Sequence, residues 1–422
     1  MNEQLLRFIW KFRLYKKNAL KSVEGEPIEI MNVGTHNTDA GPDFQNARIK
    51  VGNTLWAGNV ELHVKSSDWF RHFHQQDKSY SNIILHVVYD YDGQPAKREN
   101  GELIPTLELK QLINPGTLSR YELLEKNKKT VPCSTFFPDA AKHINQSFIS
   151  RLLIERLEEK VERINGMLKE HHGDWEQVTF RLIARYWGAG VNSEPLELVA
   201  KTLPFKLLAK TTEPLQIEAL LFGQAGWLDD KWEDDYPNQL RKEYLYQKRL
   251  HQLEPLPKHI WKLLRLRPAN FPTLRLAQLA ALLSTQTHLF SALLEAKDIK
   301  AIHRFFDVQV SPYWKNHYLF DKPSELVKSH IGTSAKNILL INAVVPLLFA
   351  YGKYKGNETY CDRALQLLET AQSEKNSLLN DWGNLGIEFP SAFESQALLQ
   401  LRNNYCNQFR CLECSVGLSI LK

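Results

Sequence analysis

The chain has 422 residues, 43% hydrophobic and 24% charged, with a formal net charge of +5. These proportions fit a globular protein with a full core and exclude a disordered or fibrous chain. No run of about 18 apolar residues occurs, so no membrane span is expected, and five cysteines in so long a chain exclude a disulfide scaffold.

The N-terminus, MNEQLLRFIWKFRLYKK, is amphipathic and basic. It lacks an apolar h-region and a small-residue cleavage site, which predicts a cytoplasmic protein. LLRFIWKFRLY carries apolar residues at helical spacing. PIEIMNVG, FQNARIKVG, TLWAGNVELHVK, NIILHVVYD and IPTLELK then read as strands between Gly, Asn and Asp turns. SSDWFRHFHQQDKSYSN, between the third and fourth strands, predicts a short helix with Ser67 as N-cap and Asp68 in its first turn. Residues 1–112 therefore predict an α/β domain.

Residues 113–140 read as a connector with prolines and a basic cluster. Residues 141–422 read as helix almost throughout, a large all-α domain. Its most apolar stretch, ILLINAVVPLLFAYG at 338–352, predicts a buried helix pair interrupted at its proline.

In GPDFQNARIKVGNTLWAGNVELHVK the alternation of the second segment puts Val60, Leu62 and Val64 on one face and Glu61, His63 and Lys65 on the other. A turn at Gly52 and Asn53 lets the two strands pair antiparallel and carries Asp43 towards Glu61. Two carboxylates on adjacent strands can hold Mg²⁺, with water completing its octahedron. The ion would lower the pKa of a water and neutralise charge on a phosphate.

Pro42-Asp43, seventeen residues, and then Glu61-Leu62-His63 resemble the PD-(D/E)xK nuclease superfamily. The resemblance implies a restriction-endonuclease-like mixed sheet with flanking helices, ordered helix, three strands, helix, strand. It implies Asp43 and Glu61 as ligands for Mg²⁺ or Mn²⁺. The superfamily's lysine position holds His63, and Lys65 lies one step further on the same face; either would position the attacking water. Gln76-Asp77-Lys78-Ser79-Tyr80 resembles the QxxxY element of the exonuclease branch, which implies that Gln76 and Tyr80 support the nucleic-acid strand. The whole chain also resembles an uncharacterised bacterial family, which implies no activity.

His63, His72, His74 and His86 crowd into the same region. Imidazoles with a carboxylate suit zinc, which would make the protein a zinc hydrolase. On one continuous helix, however, His72 and His74 would point about 200° apart. Asp68 with His72 and Asp77 with His74 are better-spaced pairs.

Cys406, Cys411 and Cys414 form C-x4-C-x2-C, a pattern suited to zinc or an iron–sulfur cluster. A fourth ligand is needed. Cys361, on a separate predicted helix, stands in the candidate set, and Cys133 in the connector is the alternative.

Arg267 and Arg275 flank an N-F-P turn at a predicted helix start, where they can meet phosphates or pair with acids. Arg181 and Arg185, beside Tyr186 and Trp187, form a second basic run. P-loop, G-x-G-x-x-G, G-x-S-x-G and HExxH patterns do not occur. The expectation is a cytoplasmic Mg²⁺-dependent nuclease whose helical domain binds nucleic acid, DNA ahead of RNA, or a protein partner. The alternative is an inactive nuclease-like scaffold.

Overall fold

The computed structural model describes residues 1–188, 190–211, 213–325 and 327–422. An N-terminal mixed sheet with flanking helices is followed by a large helical region. Residues 1–148 and 401–422 form one unit and residues 149–400 a second.

The first unit begins with helix α1 (Glu3–Lys11), capped by the Asn2 side chain, which accepts from the Leu5 N–H at 2.8 Å. Its Leu5, Leu6, Ile9 and Trp10 are buried. The Trp10 indole N–H also donates to the Val33 carbonyl at 3.1 Å, which ties the helix to the strand segment. The sheet contains β1 (Ile28–Asn32), β2 (Thr35–His36), β3 (Phe44–Val51), β4 (Thr54–Lys65), β5 (Ile83–Asp90) and β6 (Thr106–Glu108).

Strand order is β1-β3-β4-β5-β6, with β2 paired to β3. The β1–β3 and β3–β4 pairs are antiparallel, and β4–β5 and β5–β6 are parallel. The β3–β4 turn passes through Gly52 at φ +59°, a left-handed conformation that glycine adopts without steric cost. Between β4 and β5 lie helix α2 (Asp68–Arg71) and two 3₁₀ turns.

β4 is central, and that decides what its polar residues meet. Val60 and Leu62 are buried as the alternation predicts, but Glu61 and His63 on the opposite face are buried too. Every residue from Ile83 to Val88 of β5 is also buried, as expected for a central parallel strand covered on both faces. Gly58 lets these two strands approach closely: a Cβ there would lie 2.4 Å from Ile84 Cγ2 and 2.7 Å from the Asn82 carbonyl oxygen.

The connector holds helix α3 (Pro115–Lys126), capped by Asn114. The C-terminal helix Ser415–Leu421 belongs to the same unit, with the Thr117 hydroxyl donating to the Leu421 carbonyl at 3.1 Å. The cysteine-bearing segment therefore folds with the sheet unit rather than with the helical region where its sequence position puts it.

In the second unit, the apolar stretch is one continuous helix rather than a pair. Thr333–Leu339 runs through a π-helical turn at Leu340–Val344 into Val345–Lys355. The wider turn accommodates Pro346, which has no N–H to give to the ladder. This helix is apolar and long enough to cross a membrane, but 67% of its apolar window is buried inside the fold.

Arg163, Arg181 and Arg185 converge on Glu197, at 2.6, 3.3 and 2.6 Å, so the second basic run serves ion pairing. Trp187 of that run is buried. Arg275 is also interior, donating to Gln278 Oε1 at 3.1 Å and to Asn270 Oδ1 at 2.7 Å. Burial lowers its pKa to about 10. That placement corrects Arg275 as a surface phosphate contact, whereas Arg267 is exposed.

Candidate metal centre

Antiparallel pairing puts Phe44 opposite Val60, so Asp43 arrives beside Glu61. The Asp43 N–H donates to Glu61 Oε2 at 3.0 Å, and the Leu62 N–H donates to Asp43 Oδ2 at 3.2 Å. Arg7 from α1 completes the pair, its Nε lying 2.7 Å from Asp43 Oδ1. Asp43 is only 7% exposed and Glu61 4%, so each carboxylate would be costly to ionise alone. Burial, and then the Asp43 charge, push Glu61 up to about 9. Burial likewise raises Asp43 against the opposing pull of Arg7.

Glu61 Oε1 faces the imidazoles. It lies 3.7 Å from His63 Nε2 and 3.4 Å from His74 Nε2. His63 Nε2 is 3.2 Å from His72 Nδ1, and His63 Nδ1 is 2.9 Å from His86 Nε2. One ligand nitrogen from each of His63, His72 and His74 lies within 4.8 Å of the other two. Burial and the neighbouring imidazoles hold His63 far below its ordinary value; burial and His74 take His86 down to about 3. Burial also lowers His74.

The expectation that helical geometry separates His72 from His74 fails because the helix is not continuous. Helix α2 ends at Arg71 with His72 as its C-cap. Phe73 turns left-handed at φ 60°, ψ 26°, and His74 starts a 3₁₀ turn. The reversal swings both rings to one side, 5.5 Å apart between centroids. Tyr80 stacks on the His74 ring at 3.8 Å and meets Trp69 edge-on.

Asp43, Glu61 and His63 are thus brought together. Lys65, on the same strand face, is exposed at the strand end, and among the described residues no ion pair joins it to either acid. Tyr80 reaches the cluster through His74, whereas Gln76 lies exposed on its 3₁₀ turn. Asp68 pairs with Arg71 at 2.9 Å, not with His72. Arg7 was not anticipated; its signal in the sequence is a lone cation within the apolar stripe of LLRFIW.

Of the two candidate fourth cysteines, Cys133 lies in the same unit as the C-terminal three and Cys361 in the other. Cys133, Cys406, Cys411 and Cys414 share the first unit. Burial and then the nearby Cys414 and Cys411 push Cys133 up to about 12. Cys406 is raised well above the ordinary range by burial and then by the other three thiols. Cys361 sits in the second unit, its thiol 3.7 Å from the Phe349 carbonyl oxygen. The connector cysteine joins the cluster because residues 401–422 return to this unit.

Fold and site together define a mixed-sheet α/β unit carrying a carboxylate–imidazole cluster that is buried at Asp43, Glu61 and His63 and open at His72, continued by a helical region. The chain belongs to the family described as a protein of unknown function, DUF2851, whose family model matches residues 3–377. No curated protein matches it, and no solved structure matches it.

Proposed function

We propose that this protein is a divalent-metal-dependent phosphodiesterase acting on nucleic acid, centred on Asp43, Glu61 and His63. The observation that carries the reading is the meeting of Asp43 and Glu61 across β3 and β4. The nuclease resemblance implies helix, three strands, helix, strand; the unit has a similar order with the two-residue β2 added before β3 and β6 after β5, and β5 runs parallel to β4.

A divalent ion bound there, Mg²⁺ or Mn²⁺ by the resemblance, supplies Lewis acidity and lowers the pKa of water. The chain's own residues supply placement: the Asp43 N–H fixes Glu61, and Arg7 holds Asp43. In hydrolysis, water oxygen bonds to phosphorus as the bond to the sugar oxygen breaks; the water gives up a proton and the leaving oxygen gains one. The net charge of +5 is compatible with a polyanionic substrate; the substrate proposed is nucleic acid, DNA ahead of RNA. The helical unit would bind nucleic acid or a protein partner, with Arg267 still available at its surface. Cys133, Cys406, Cys411 and Cys414 would form a separate structural centre for zinc or an iron–sulfur cluster. A cytoplasmic setting accords with five cysteines outside disulfides.

Purified protein incubated with Mg²⁺, Mn²⁺ or Zn²⁺ on single- and double-stranded DNA and RNA tests this. Cleavage lost in Glu61→Gln and Asp43→Asn is expected; no cleavage with any ion, or cleavage unchanged in both variants, sinks the reading. The exposed position of Lys65, away from the acids, favours a second reading in which the unit binds nucleic acid without turnover. Metal-independent binding with no product would select it.

A further inference from the structure

We infer that His63, His72 and His74, together with Glu61, hold one transition-metal ion of the zinc class. Zinc ligands at about 2.0–2.1 Å in a tetrahedron stand about 3.3–3.4 Å apart. The Glu61 Oε1–His74 Nε2, Glu61 Oε1–His63 Nε2 and His63 Nε2–His72 Nδ1 separations are 3.4, 3.7 and 3.2 Å. Three imidazoles and one carboxylate form a nitrogen-rich set that suits zinc. Magnesium instead takes oxygen ligands and keeps several waters.

The surroundings prepare each ligand. Glu61 Oε2 is engaged by the Asp43 N–H, which leaves Oε1 directed at the imidazoles. With the His63 Nδ1–H donating to His86 Nε2 at 2.9 Å, the Nε2 lone pair points into the cluster. Such an outer partner fixes the tautomer of metal-bound histidines elsewhere. His72 is exposed and opens the cluster to solvent.

A chain of hydrogen bonds between imidazoles is the competing account of these contacts. It pairs His63 with His72 and with His86 but leaves His74 Nε2, a buried atom, without a hydrogen-bond partner. An ion satisfies that nitrogen along with the others. What the ion does rests on the phosphodiesterase reading; that it binds does not.

Full-length protein stripped with chelator and titrated with ZnCl₂ tests the inference, with zinc-edge X-ray absorption to identify the ligands. Beyond any zinc held by sulfur at the cysteines, one tight equivalent with nitrogen and oxygen ligands is expected, not displaced by millimolar MgCl₂. It should weaken at least tenfold in His72→Ala and in His74→Ala. Folding of each variant is checked by circular dichroism, and the absorption spectrum of the unaltered protein reads the ligand shell without a variant. Zinc bound no tighter than magnesium, a shell of sulfur alone, or affinity unchanged in both histidine variants would overturn it. Zinc binding without cleavage of any nucleic acid removes the phosphodiesterase reading and leaves this site standing. Mg²⁺-supported cleavage by protein that binds no zinc does the reverse.

Discussion

Asp43 and Glu61 are bound through backbone as well as by proximity: the Asp43 N–H donates to Glu61 Oε2 at 3.0 Å. The two acids do different work. Burial, and then Asp43, raise Glu61 well above the ordinary carboxylate range and favour its protonated form in the absence of a cation. Glu61→Gln therefore resembles the ion-free state and should shift Tm by only a few degrees while weakening zinc binding at the histidine cluster at least tenfold. Asp43→Ala removes the acceptor for both Arg7 and the Leu62 N–H. It should cost about 2–4 kcal/mol, or about 5–15 °C in Tm for a unit of this size. Equal melting losses in the two variants would contradict this division.

The left-handed Phe73 brings His72 and His74 to the same side. Phe73→Gly keeps that conformation accessible, so zinc affinity should stay within about threefold of the unaltered protein. Phe73→Val places a β-branched residue where a positive φ is strongly disfavoured. It should weaken zinc binding at least tenfold. Phe73 is 64% exposed, so little packing is lost in either case. Equal zinc affinities for the two variants in the same titration would show that the turn does not control the site.

Gly58 sets the approach of β4 to β5. An added Cβ would meet the Ile84 side chain and the Asn82 carbonyl, and overpacking of this kind costs about 1–3 kcal/mol. Gly58→Ala should speed amide hydrogen exchange along 59–65 and 83–90 relative to the rest of the first unit. Unchanged exchange there would mean that the strands absorb the methyl group without loss.

In the second unit Glu218 is buried at 3% exposure and accepts from the Tyr236 hydroxyl at 2.7 Å and the Trp314 indole N–H at 3.1 Å. Burial raises its pKa in the fold, against those hydrogen bonds. The folded state therefore holds a proton that the unfolded chain releases near pH 4.3. Its contribution to stability is full below that pH and declines as pH rises through the folded value. Urea unfolding at pH 5 and pH 8 should show Glu218→Gln gaining on the unaltered protein at the higher pH. A constant difference between the two would refute the shift.

The sequence alone determined the local pieces. Alternation in NVELHVK assigned Glu61, His63 and Lys65 to one strand face, and Gly52-Asn53 marked the turn that brings Asp43 across. Strand periods and turn residues are local properties, so the order of elements in the first unit was legible from them. Tertiary structure decided what those faces meet. β4 became central, so its polar face was buried, and α1 contributed Arg7, a lone cation in an apolar stripe whose partner only the fold supplies. A left-handed residue between His72 and His74 replaced the rotation of a continuous helix. The return of residues 401–422 to the first unit put Cys406, Cys411 and Cys414 in the same unit as Cys133. Spacing along a chain cannot fix contacts made across it, because those depend on which surfaces the whole fold buries together.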